Sequence, residues 1–288
     1  MDKLTYQLVQ LHHCSGITWR HLERLCSIGP IKDVTEINTL IKQLHLNKDT
    51  ATLVRDQMSQ FSTTQLIERY KQSGIHIISM NHPLYPPSLK HIYEPPPMLY
   101  VKGNLQLLQS PIKLAIVGAR VHDPYGVQAL KTLIPELVEK NICIVSGLAR
   151  GIDRLAHEIT INYGGKTIGV IAGGLYHIYP KEHYALADKM AQEHLLISEY
   201  PPIVPPKKWH FPKRNRIISG LSRGVLVVQA RERSGSLITA DYAIDQGRDV
   251  FAIPGPITSP LTAGTHLLIQ QGAKLVHSPQ DIFDEWFY

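Results

Sequence analysis

From residue 112 onward the chain alternates two patterns. Short continuous apolar runs lie at Leu114–Val117, Cys143–Val145, Thr167–Ile171, Leu195–Ile197, Val225–Val228, Val250–Ile253 and Lys274–Val276. Between them fall longer stretches of helical character, at 126–139, 153–163, 181–192, 237–246 and 264–271. Apolar strands covered by helices on both faces predict a doubly wound, mostly parallel α/β sheet, an extended Rossmann fold. Such sheets place their sites at the carboxyl ends of the strands.

Residues 1–80 carry a different pattern. Leu4, Leu8 and Leu11 recur at helical spacing, as do Leu22 and Leu25, and then Leu40, Ile41 and Leu44. Gly16 and Gly29–Pro30 punctuate them. The expectation is a small all-helical leading domain, SAM-like or helix-hairpin-helix-like, over 1–80, and a main domain over 81–288. Residues 81–111 hold Pro83, Pro86, Pro87, Pro95, Pro96, Pro97 and Pro111. Proline donates no ladder hydrogen bond, so this segment is expected to strap the main domain rather than enter its sheet.

Charge narrows the function. Between Lys207 and Arg233 there are eight Lys/Arg and one acid, Glu232, a local +7 against +6 for all 288 residues. The cations crowd around the ring of Phe211, in Phe211-Pro212-Lys213-Arg214-Asn215-Arg216. Charge beside a flat apolar face suits phosphates and bases of a nucleic-acid strand. The predicted strand ends add Gly118, Ala119 and Arg120, then Gly147 and Arg150, then Arg231 and Ser234. Glycines there let backbone amides approach an anion, and following helices add partial positive charge. Asp153 is expected to cap the next helix, and His157 to be structural rather than catalytic.

Other chemistries lack their signatures. Neither GxGxxG after the first strand nor GxxxxGK[ST] occurs, which disfavours a dinucleotide cofactor or P-loop ATPase. No GxSxG elbow is present. Cys14, Cys26 and Cys143 show no CxxC spacing, so neither disulfides nor a metal site is expected, in keeping with a cytoplasmic protein. No apolar run is long enough to span a bilayer.

The ordered blocks from about residue 80 to 277 resemble the DNA-processing protein A family (DprA, or Smf). They include Val117–Arg120, Ser146–Asp153, Tyr179–Pro180, Ser198–Pro201, Phe211–Ile218, Ser234–Ala240, Gly247–Val250, Pro254–Gly255 and Gly272–Ala273. The resemblance implies a non-enzymatic protein that binds single-stranded DNA and loads the RecA recombinase in natural transformation. It implies that Arg120, Lys208 and Phe211 contact DNA. It further implies a homodimer formed through the C-terminal helix and strand, overlapping the RecA face, at His266, Ile269 and Leu275. Ala119, Gln229 and His266 depart from residues common in the family. The chain stops at Tyr288, short of the winged-helix module that some members carry. Two alternatives stand beside this reading: a nucleotide phosphoribohydrolase-like enzyme and a nucleotide-sensing Rossmann module. Against the enzyme, Tyr242 occupies the place of its catalytic glutamate.

Overall fold

The computed structural model describes residues 1–31 and 37–287. The helical expectation for 32–36 falls outside them. Five helices lead: α1 (Lys3–His12), α2 (Trp19–Ile28), α3 (Ile37–Gln43), α4 (Lys48–Gln60) and α5 (Thr63–Gln72). Polar N-caps start three of them, with Asp2, Asn47 and Ser62 accepting amides of Thr5, Thr50 and Gln65.

Nine strands then form one sheet: β1 (Ile75–Ser79), β2 (Met98–Gly103), β3 (Lys113–Val117), β4 (Cys143–Ser146), β5 (Thr167–Ile171), β6 (Leu195–Ser198), β7 (Gly224–Val227), β8 (Asp249–Ala252) and β9 (Lys274–Leu275). Interleaved are α6 (Pro124–Glu139), α7 (Ile152–Asn162), α8 (Tyr184–Glu193), α9 (His210–Leu221), α10 (Gly235–Asp245), α11 (Ala263–Gln270) and α12 (Gln280–Phe287). The spatial order is β1-β2-β6-β5-β4-β3-β7-β8-β9. Strands β3 to β9 run parallel, and β2 joins β6 antiparallel.

The core follows from strand alternation. Ala115, Val117, Val225 and Val227 face one layer with Ile217, Ile218 and Leu221 of α9 and Ala240 and Ala243 of α10. Leu114, Ile116 and Leu226 face the other, with Leu130, Leu133 and Ile134 of α6 and Ile152 and Ala156 of α7. The doubly wound sheet expected from the sequence is present.

Two expectations change. Strand β1 lies inside the segment expected to be helical, and β2 lies inside the expected strap. The prolines at 95–97 end just before Met98, so β2 is proline-free and pairs on both edges, with β1 and with β6. The leading helices also share a core with the sheet: Leu8, Leu25 and Tyr70 pack in one cluster with Met98, Tyr100, Ile171 and Leu196. Among the described residues, no helix is long and apolar enough to cross a membrane, and no cluster of three or more His, Cys, Asp or Glu could hold a metal ion.

Candidate nucleic-acid interface

The basic stretch is a helix. Its inner side is set by His210, Arg214, Ile217, Ile218 and Leu221, all buried, at the i, i+4, i+7, i+8, i+11 spacing of one helical stripe. Pro212 does not interrupt α9, because it sits in the first turn, where backbone N–H groups have no intrahelical acceptor. His210 anchors the helix start by stacking on Tyr200, with ring centroids 3.9 Å apart and planes within 14°.

Beside α9 runs an open groove of about 890 Å³. The carboxyl end of β3 supplies Gly118, Ala119 and Arg120, α9 supplies Phe211, Arg214 and Asn215, and the turn into α10 supplies Arg231, Arg233 and Ser234. Lys208 lies on its wall just ahead of α9. Arg120 stands over the Phe211 ring, 5.8 Å from its centroid. Tyr179 meets the same ring edge-on at 5.6 Å. Arg120, Lys208, Arg231 and Arg233 are all exposed, and no carboxylate of the described residues lies within ion-pair distance of them. The groove therefore joins unpaired cations to an aromatic floor.

Several expected contacts serve the scaffold instead. Arg214 is 5% exposed and donates to the carbonyls of Gly147 and Val170, locking the ends of β4 and β5 beneath α9. Burial, aided by the nearby Arg120 and opposed by Asp153, lowers its pKa to about 10, so it stays charged. Gly147 is required for this fit, since a Cβ there would come within 2.3 Å of the guanidinium. Arg216 lies in the interior, 2.5 Å from Glu199, with 2% and 7% of the two side chains exposed. Arg216 is closed to phosphate in this arrangement, whereas Arg214 lies at the base of the groove with Nη1 committed to the two carbonyls. Helical geometry explains the correction: the clustered charges radiate around α9, and two of them point inward.

Lys213 sits on another flank of α9, 3.5 Å from Glu94, and does not line the groove. Arg150 is exposed but held by Glu182 through two contacts of 2.6 and 2.8 Å. It and Gly147 border a smaller cavity of about 50 Å³, next to Arg120 and Phe211. Asn215 donates to Gly235 O, tying α9 to α10. Ser234 caps α10 by accepting the Ser236 amide.

The rim amides are partly committed as well. Ala119 N–H donates to Gln229 O at 2.7 Å. The carboxyl of Asp153 is buried, and burial raises its pKa. Arg214 and the backbone N–H groups of Ala149, Gly147 and Gly118 act in the opposite direction. Asp153 is thus a buried carboxyl facing the strand ends, whereas Gly151 occupies the N-cap it was expected to fill. Gly151 has φ +75°, and a Cβ there would approach Ala119 O to 2.2 Å. His157 is fully buried, as expected of a structural residue, with Nδ1 2.6 Å from Thr167 Oγ1.

Sequence reasoning missed Tyr179 and Arg233 as groove residues. Arg233 was visible in the local charge count, but nothing in the pattern placed Tyr179 against Phe211. His266, Ile269 and Leu275 lie elsewhere, on α11 and β9 at the opposite sheet edge from β1. Leu275 is exposed, and His266 contacts Gly255 O at 3.0 Å.

Fold and groove together define a Rossmann-like α/β protein with a cationic cleft at its strand ends. The chain belongs to the DNA recombination-mediator protein A family, whose model matches residues 76–287. It is 50% identical over 237 residues to DNA processing protein DprA of Bacillus subtilis, covering 82% of this chain and 80% of that one. It is 52% identical over 202 residues to DprA of Streptococcus pneumoniae, covering 70% and 71%. The X-ray structure of the Streptococcus pneumoniae DprA superposes over the whole of both chains, with a TM-score of 0.88 and 39% identity. A Helicobacter pylori DprA structure, described for its single-stranded DNA binding mode, superposes over 73% of this chain and 94% of that one, with a TM-score of 0.67 and 31% identity.

Proposed function

We propose that the groove holds an unpaired DNA strand and that the protein hands this strand to the RecA recombinase during natural transformation, without performing chemistry. One observation carries the reading: Arg120, Lys208, Arg231 and Arg233 surround the Phe211–Tyr179 pair in one open groove. The cations serve phosphates, and the rings serve bases of any sequence. The single-stranded DNA binding of the Helicobacter pylori relative supports the same assignment.

A binding role rather than hydrolysis fits the groove's acid–base content. Its one lining carboxylate is Asp153, which is buried and faces Arg214. A nucleoside monophosphate incubated with the protein should release no free base. Homodimerisation and RecA contact are assigned to the α11–β9 edge, where Leu267 and Leu275 are exposed.

The deciding experiment is a salt titration of oligonucleotide binding, followed by anisotropy of a labelled strand. Arg120→Ala should weaken binding and reduce the log–log salt slope by about 0.7, the contribution of one neutralised phosphate on a single strand. An unchanged slope in a folded variant rejects the groove as the site. Mononucleotides tested in the same assay should compete poorly, and strong competition would favour a nucleotide sensor.

A further inference from the structure

Helix α9 has a second outward flank that the groove does not use. Lys208, Phe211, Asn215 and Ile218 line the groove at helical spacing. Trp209 and Lys213 are also four residues apart and share a different face. Trp209 is 64% exposed, with the Lys207 ammonium over its ring, 5.3 Å from the centroid. Its indole N–H makes no hydrogen bond within the described residues, unlike Trp19, which donates to Pro95 O, and Trp286, which donates to Asp249.

An indole left largely in water at the head of a helix meets the edge of the His210 ring, at 5.8 Å and 90°, and the Lys207 ammonium, and most of its surface is uncovered. It packs into none of the hydrophobic core clusters. The flank's charge selects the occupant. Lys207 covers the Trp209 ring, Lys213 follows one helical turn later, and the one carboxylate engaged there among the described residues is Glu94, 3.5 Å from Lys213 and itself partly exposed. That pair is loose enough to exchange for a phosphate, since exposed ion pairs contribute little.

We propose that Trp209, with Lys207 and Lys213, forms a second base-stacking station, so that a longer unpaired strand leaves the groove and wraps over the leading end of α9. The inference rests on the groove reading and extends it. It also gives Lys213 a place in binding that the groove does not. The indole takes a base on the face opposite its cation, and the lysines take the flanking phosphates.

The three tryptophans allow a direct test. Oligothymidylates of increasing length are titrated into the full chain, and strand anisotropy and tryptophan emission are read on the same sample. Trp209 is the most exposed of the three, Trp19 being half-buried and Trp286 buried, so its emission should fall on binding of long strands and remain unchanged with the shortest. Trp209→Leu should abolish that quenching and weaken long strands about tenfold, within the range for one lost stack, while leaving the shortest unaffected. Salt-dependent binding with unchanged Trp209 emission, or quenching that survives in Trp209→Leu, overturns the second station and leaves the groove standing. An absence of strand binding altogether overturns both.

Discussion

At the scale of single residues, charge inside the protein and charge in the groove have opposite consequences. Arg216 and Glu199 are both nearly inaccessible and lie 2.5 Å apart. Arg216 Nε and Glu199 Oε2 find no further partner. Removing one member strands the other in a low-dielectric interior, at about 3–5 kcal/mol, whereas apolar replacement of both is close to neutral. Arg216→Met should therefore lower the unfolding midpoint sharply, and Glu199→Leu added to it should restore most of the loss. Arg214→Ala belongs with this class: it should unfold the protein at lower denaturant rather than simply flatten a salt slope. His157 adds a pH dependence. Thr167 Oγ1 donates to Ile144 O at 2.8 Å, so it accepts from His157 Nδ1–H. That leaves Nε2 unprotonated and without a partner. Burial holds the imidazole pKa down at about 3, against an ordinary 6.5. Between those values the unfolded chain binds the extra proton, so stability falls as pH drops from 6.5 toward 3, by about 1.4 kcal/mol per pH unit for this one group. His157→Leu should flatten that acid limb in chemical denaturation at pH 4, 5 and 6.

At the scale of elements, legibility followed the locality of the signal. Strands β3 to β8 were readable because each carries a short apolar run bounded by glycine or polar residues, and the two-residue β9, Lys274–Leu275, falls at the start of the last such run. Strand β2 was obscured by three preceding prolines, although Met98 to Val101 is fully buried. Strand β1 was hidden by its position directly after a helical series and its mixed composition, Ile-His-Ile-Ile-Ser. The groove's composition was legible in the charge cluster, but its sidedness was not. Only the helical assignment of 210–221 shows that Phe211 faces the groove, that Arg214 is buried at its base and that Arg216 faces inward. The α11–β9 edge carries its own prediction. Leu267 and Leu275 are exposed, and Ile269 is half-buried. A flat edge with an apolar rim is the usual site of strand or helix pairing between copies. If the proposed dimer forms through this edge, light scattering should give a dimer mass for the parent and a monomer mass for Ile269→Asp, and equal masses for the two would reject the edge as the dimer contact.

For the whole molecule, the decisive quantity is how many positive charges are free to exchange counterions. The nominal local charge of +7 overstates it. Arg214 and Arg216 are buried, Lys213 is engaged by Glu94, and Arg223 lies at the other end of α9, against the Trp286 ring. Arg120, Lys208, Arg231 and Arg233 remain in the groove without carboxylate partners among the described residues. Four neutralised phosphates give a log–log salt slope of about 3 for a strand short enough to occupy the groove alone. Arg150 is the adjustable fifth. It borders the adjoining cavity, but Glu182 grips it with the same two-pronged geometry a phosphate would use. A strand reaching Arg150 must displace that carboxylate. Glu182→Gln should remove the competitor, tighten strand binding severalfold at low salt and raise the slope toward that of five contacts. Because both partners are exposed, the change should leave the unfolding midpoint nearly untouched. Tighter binding without a steeper slope would mean that Arg150 stays outside the strand's path and that the gain comes only from removing a negative charge near the groove.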